Sequence, residues 1–246
     1  MKTVLIPLLL LCACTANENT HIPFRDEVHI DDRTSFHRLR ANGQAIIQNL
    51  DLLKNKAKEL LIRHVVISDK RTVPVTILHL PDAAASSARN ITGESHFREK
   101  EILRFKDTVY KTFAPLPIVE DTSSLSYSEI FAVFAAQITQ LSQRQAESKI
   151  LFLYSDLQER SVLFDSYDQR SQTLLEKNPD SVARLFLSRY PLPTSLKDIR
   201  VFLVYDPITR RDDDRYQKML AVYKIILGNR SATIIQQSQN KFFETP

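Results

Sequence analysis

The sequence predicts an α/β fold: a doubly wound, mainly parallel sheet flanked by helices and preceded by an N-terminal amphipathic helix. Three observations predict it. Residues 150–154 (Ile-Leu-Phe-Leu-Tyr) and 199–205 (Ile-Arg-Val-Phe-Leu-Val-Tyr) are short apolar runs. They are too short for lone helices and too apolar for half-exposed strands, so they read as strands buried on both faces. Helical and strand patterns alternate around them, the mark of a parallel sheet wrapped by helices. Each run stops at an acidic residue, Asp156 or Asp206, which puts carboxylates just past strand ends, where open α/β sheets bind their ligands.

Taken in order, the chain begins with a basic Lys2, an apolar run from Val4 to Leu11, and Cys12-Ala13-Cys14. This is a secretory signal in outline, too short to span a bilayer. Leu11-Cys12-Ala13-Cys14 resembles the lipobox of bacterial lipoproteins, in which cleavage precedes a cysteine that carries the lipid. The resemblance implies a signal peptide over 1–13, acylation of Cys14, and a chain held by lipid in the bacterial cell envelope, at the outer membrane. An ordinary signal peptide cut near Ala13 or Ala16 is the alternative. Cys12 and Cys14 are the only cysteines, so beyond the anchor there is no thiol for a disulfide, a Cys-ligated zinc or a nucleophile.

Composition removes further classes. The net charge of +4 is spread over 33 basic and 29 acidic residues that intermingle, and no nucleic-acid-binding signature is present, so no nucleic acid partner is expected. With glycine only at 43, 93 and 228, the chain has no GxGxxG, P-loop or GxSxG element.

Residues 14–32 are polar, contain Pro23 and show no sustained period, and read as a tether. His21, His29 and His37 with Asp31 and Asp32 match no ligand spacing and read as solvated. Over 33–67 an N-terminal helix is expected, because Phe36, Leu39, Gly43, Ile46, Leu50, Leu53, Ala57 and Leu60 recur in steps of three and four. At the β-branched 64–67, either the helix continues or a short strand forms.

The α/β domain is expected over 72–246. A strand at 75–80 follows Pro74 and ends at Asp82; its His79 reads as a hydrogen-bonded core histidine. Helices follow at 97–113, through Ile102, Phe105, Val109 and Phe113, and at 126–144, through Ile130, Phe134, Ile138 and Leu141. Residues 174–190 are helical, with Pro179 marking a break or a fresh first turn. Asp212, Asp213 and Asp214 complement the dipole of a helix running to 227, Gly228 ends it, and 231–235 is a last strand.

If the strands are parallel, Asp82, Asp156 and Asp206 share one edge. At this point the chain resembles the von Willebrand factor A-like fold. That family's metal site uses an Asp-x-Ser-x-Ser loop after the first strand, a Thr before a later helix and an Asp after the fourth strand. The resemblance assigns the loop to Asp82 and Ser86, with Ala84 replacing the first serine, the threonine to Thr122, and the last aspartate to Asp156. It implies Mg²⁺ held by Asp82, Ser86, Thr122 and Asp156, and a non-enzymatic contact with an unidentified protein partner. Three other readings stand beside it. Asp82 and Asp156 only cap following helices; or Asp82, Asp156 and Asp206 hold a divalent ion for a hydrolase; or the chain is a structural subunit that docks through its N-terminal helix.

Overall fold

The computed structural model describes residues 22–34, 38–52, 54–68, 73–84, 94–114 and 127–238. The predicted signal peptide and Cys14, Ser86 and Thr122 lie outside them. Among the described residues the strands are β1 (Arg25–Asp32), β2 (Leu60–Ile67), β3 (Val75–Leu80), β4 (Ser148–Tyr154), β5 (Ile199–Val204) and β6 (Thr233–Gln237). They form one sheet in the order β3-β2-β1-β4-β5-β6, and all neighbours run parallel except β2 and β3. The doubly wound, mainly parallel architecture is therefore present, with one antiparallel edge strand, a common addition to such sheets.

Two expectations about the N-terminal region are corrected. Residues 25–32 are no tether: they are the central strand, and all eight are buried. Nor does one helix run over 33–67. Helix α1 covers Gly43–Leu50 only, capped by the Asn42 side chain, which accepts from the Gln44 and Ala45 amides. Its chain stops because Asp51 turns left-handed (φ 41°) and the Asn55 amide donates to the Leu50 and Asp51 carbonyls that a longer helix would have used. Leu60, assigned to the end of the helical seam, instead opens β2, so of the two outcomes for 64–67 the strand is the one formed.

The remaining helices are α2 (Glu94–Thr112), α3 (Ile130–Gln143), α4 (Gln169–Lys177), α5 (Pro179–Arg189) and α6 (Arg210–Gly228). Pro179 gives α5 a fresh first turn after Asn178, which ends α4 and whose side chain caps α5. At α6 the Thr209 hydroxyl and Asp212 carboxylate form a capping box, with Asp212 and Asp213 in the first turn as expected. Alternation along the strands builds two cores. Val28, Ile30, Leu151, Leu153, Val201 and Leu203 face α3, α5 and α6. Leu60, Ile62, Ile150, Phe152 and Phe202 face α1 and α2. α1 and α2 approach closely at Gly43, where a Cβ would lie 3.1 Å from the Tyr110 backbone.

The central strand buries charge on both faces. Toward α3, the Arg63 guanidinium of β2 donates to Asp26 (3.2 Å) and to Gln140 (2.6 Å), and Arg144 lies 3.4 Å from Asp26. Toward α2, Glu27 takes Arg25 at 3.3 Å and His29 at 3.0 Å, while the His29 ring stacks on Phe152 at 4.5 Å. Burial opposes the ionisation of Glu27, yet the His29 and Arg25 partners hold it below the ordinary carboxylate range. Among the described residues the histidines of the core are thus His29 and His64. His79, expected there, lies on the exposed side of the edge strand and pairs with Glu59 at 2.7 Å.

Burial pushes the Asp26 carboxyl up and the Arg63 guanidinium down, so at this pair desolvation outweighs mutual attraction. Arg63→Ala leaves Asp26 buried without its main counter-charge and should cost about 3–5 kcal/mol in urea unfolding. The double variant Asp26→Leu/Arg63→Met should recover most of that loss, and equal destabilisation in both variants would contradict this account.

Candidate functional site

In the order β3-β2-β1-β4-β5-β6 the winding direction reverses between β1 and β4, and the crevice where open α/β sheets bind their ligands is the one outside the carboxyl ends of two such strands. Asp32 ends β1 and Asp156 lies two residues past β4, so both flank that crevice. Asp156 is where the sequence placed it. Asp82 is not: β3 runs antiparallel, Leu80 pairs with Leu60 at the start of β2, and the Ala83 amide donates to the Ala57 carbonyl. Asp82 therefore sits at the opposite rim, roughly 20–25 Å away at ~3.3 Å of strand per residue. This also removes one of the three carboxylates of the hydrolase reading, since Asp206 and Asp82 end up on different rims.

The residue that takes the place expected for Asp82 is Asp32. Its Oδ2 accepts from the Ser155 hydroxyl at 2.7 Å, and its Oδ1 from the Thr34 amide at 2.9 Å and the Thr34 hydroxyl at 2.5 Å. Thr34 Oγ1 lies 2.7 Å from Ser128 Oγ, on the loop before α3. One oxygen cluster thus joins the ends of β1 and β4 to the approach to α3. The motif is Asp32-Arg33-Thr34, and the signal that could have found it is an Asp-x-Thr directly after Val28-His29-Ile30, an alternating strand pattern.

Past β4 the chain folds back sharply. The Leu157 amide donates to Ser155 Oγ (2.9 Å) and the Gln158 amide to Asp156 Oδ1 (2.9 Å). Leu157 itself is left-handed at φ 60°, a conformation costing a non-glycine residue about 1–3 kcal/mol. Its side chain is fully buried in the α3-side core, which offsets that cost.

Glu159 follows and does what the chain beside α3 does not. The residue before α3, Glu129, makes no side-chain cap, and the Phe131 amide of the first turn donates instead to Glu159 Oε2 at 2.9 Å. The Ser166 amide and hydroxyl both donate to the Glu159 carbonyl at 2.8 Å. Burial pushes the Glu159 carboxyl up to about 8; the Phe131 amide and Ser161 hydroxyl pull it down, and the charges of Glu129 and Asp32 add to the rise.

The rim above this cluster carries side chains of another kind. The Arg160 guanidinium lies over the Tyr167 ring at 4.6 Å and that of Arg215, on α6, at 5.3 Å. Val162 is 94 % exposed and Tyr167 40 %. Asp32 and Asp156, by contrast, are buried, so a macromolecule would meet the rim rather than the carboxylates.

The donors at the crevice are carboxylate and hydroxyl oxygens, which suit a hard cation such as Mg²⁺. Octahedral Mg²⁺ with oxygens at ~2.0–2.1 Å spaces adjacent ligands ~3 Å apart. The Asp32–Thr34, Thr34–Ser128 and Ser155–Asp32 oxygens need to open by only a few tenths of an ångström to reach that spacing. Among the described residues no group of three or more His, Cys, Asp or Glu side chains gathers into a metal site, so any such ion would depend on hydroxyls and water.

No family model matches this sequence, and no curated protein does. Among solved structures the chain is similar to the crystal structure of an aerotolerance-related membrane protein from Bacteroides fragilis NCTC 9343 with multiple mutations to serines. The likeness is 8% in identity and 0.32 in TM-score, over 88% of this chain and 92% of that chain. The fold assignment rests on strand order and register.

Glu159 makes stability depend on pH with a definite sign. Its folded-state value of about 8 lies above the ordinary 4.5, so its contribution is complete below about pH 4.5 and is lost as pH rises toward 8. The loss is on the order of 1.4 kcal/mol per pH unit at most. Glu159→Gln keeps an acceptor for the Phe131 amide and cannot ionise. Its unfolding free energy, measured against the wild type from pH 5 to 8, should gain on the wild type steadily; parallel profiles would refute the assignment.

Proposed function

We propose that this chain is a lipid-anchored protein of the bacterial envelope, held at the outer membrane through Cys14, whose α/β domain binds another protein at the carboxyl edge of its sheet. The observation that carries the reading is the position of Asp32 and Asp156 on either side of the point where the sheet reverses its winding, with the Thr34, Ser128 and Ser155 hydroxyls gathered at Asp32. Mg²⁺ bound by Asp32, Thr34, Ser128, Ser155 and Asp156 is part of the same reading. The ion would offset the paired negative charge and fix the three loops relative to one another. Exposed Val162 and Tyr167 give the rim the apolar and aromatic surface that a protein contact uses.

The anchoring part rests on the lipobox-like sequence and on chain physics. No helix among the described residues is long and apolar enough to cross a membrane. Acyl chains on Cys14, at ~0.8 kcal/mol per buried CH₂, would hold the domain at a surface without one.

Both parts have direct tests. A photo-crosslinking residue at position 162 should give an adduct in intact cells that grows with Mg²⁺ and disappears in Asp156→Asn. The same residue placed at Asp107, on α2, should give none; equal adducts at both positions would reject the carboxyl edge as the contact. Cys14→Ser should move the protein from the membrane fraction to the soluble one, and unchanged fractionation would exclude lipid attachment there.

A further inference from the structure

Arg215 projects from the second turn of α6 and is half-buried. Among the described residues no carboxylate lies within ion-pair reach of its guanidinium, and its contact is the ring of Tyr167. Arg160, from the loop after β4, lies over the same ring. Two planar cations from separate elements are thus fixed against one aromatic side chain, and stacking removes much of the rotamer freedom that a free arginine loses on binding. The Arg160 backbone pairs with Ser128, donating to its carbonyl at 3.0 Å and accepting from its amide at 2.8 Å, and Ser128 Oγ meets Thr34, which places this stack beside the oxygen cluster. Ile208, also exposed, lies just past β5 on the same rim.

Resting on the reading above, the geometry points to an acidic segment of the partner protein as what the Arg160–Tyr167–Arg215 stack recognises. Guanidinium forks match carboxylates through paired hydrogen bonds, and Val162 and Ile208 offer apolar contacts to the neighbouring side chains of such a segment. A polyphosphate backbone suits the rim poorly. Asp156, Asp165, Asp168, Asp206 and Asp213 all lie on loops or helix starts at this end of the sheet, and a continuous anion would be repelled where isolated carboxylates can be accommodated.

The test uses the full chain in non-ionic detergent and three fluorescent probes: a Glu-Leu peptide with a single Glu in every four residues and neutral Ser between, its Lys-Leu counterpart, and a single-stranded RNA of equal length, each with EDTA and with Mg²⁺. The Glu-Leu peptide should bind at least about tenfold more tightly than the other two. Arg215→Ala and Tyr167→Ala should each weaken it by about tenfold while leaving the thermal midpoint unchanged, and Arg215→Glu should reverse the preference toward Lys-Leu. Equal binding of the two peptides, tighter binding of RNA, or indifference to the Arg215 and Tyr167 substitutions overturns the inference. Loss of the Mg²⁺ effect alone, with the peptide preference intact, overturns the metal part of the broader reading and leaves this one standing.

Discussion

A strand that lies between parallel neighbours and beneath helices on both faces has no access to water, and in this protein that strand is Arg-Asp-Glu-Val-His-Ile-Asp-Asp. Its charges therefore have to be met from within. Arg63 and Arg144 answer Asp26 on one face; His29 and Arg25 answer Glu27 on the other, and Arg33 and Arg40 reach Asp31. Such pairs add little net stability compared with apolar residues of the same volume. What they do is make every alternative register expensive, because a one-residue slip would carry each charge to the face without its partner. The sheet order, the position of the crevice and the identity of the residues at its lip all follow from that register.

The last charge of the strand is the one that leaves the core and enters the site. Asp32 is fixed by the same pairing that places Asp31 opposite Tyr154, and Ser155 at the end of the neighbouring strand donates to it. The loop beyond Ser155 then supplies the missing cap of α3 through Glu159. The Asp32 hydroxyl cluster, loop and helix start thus form one connected unit, stiffened from below by the sheet. The arginine–tyrosine stack lies at its edge, with Arg160 and Arg215 held against the Tyr167 ring.

Legibility in the sequence followed hydropathy. β4, β5 and the helices through Ile130 and Val109 could be read because their apolar residues recur at the right period or fill a whole run, and Asp156 could be read because it follows such a run. β1 could not, since five of its eight positions are charged and the partners that make burial tolerable, Arg63 and Gln140 among them, are far away in sequence. With the central strand unread, the strand ending at Asp82 counts as the first of the sheet, and Asp32 at the end of β1 goes unnoticed. The antiparallel course of β3 escaped for a different reason: alternation records which face a side chain takes and carries no information on strand direction. The helical seam through Leu60 misled because its spacing continues past Asp51, while the left-handed turn that interrupts it is a backbone event with no glycine to announce it.

The charged character of β1 bears on how the chain reaches its native state. One of the two sheet partners of this strand, β4, is synthesised only after the intervening helices. Closing so distant a pair is slow, and through that interval an apolar strand would offer a bare edge to other nascent chains. Arginine, glutamate and aspartate along Arg25–Asp32 keep the waiting segment hydrated and self-avoiding, so the residues that complicate the finished interior protect the unfinished one from aggregation.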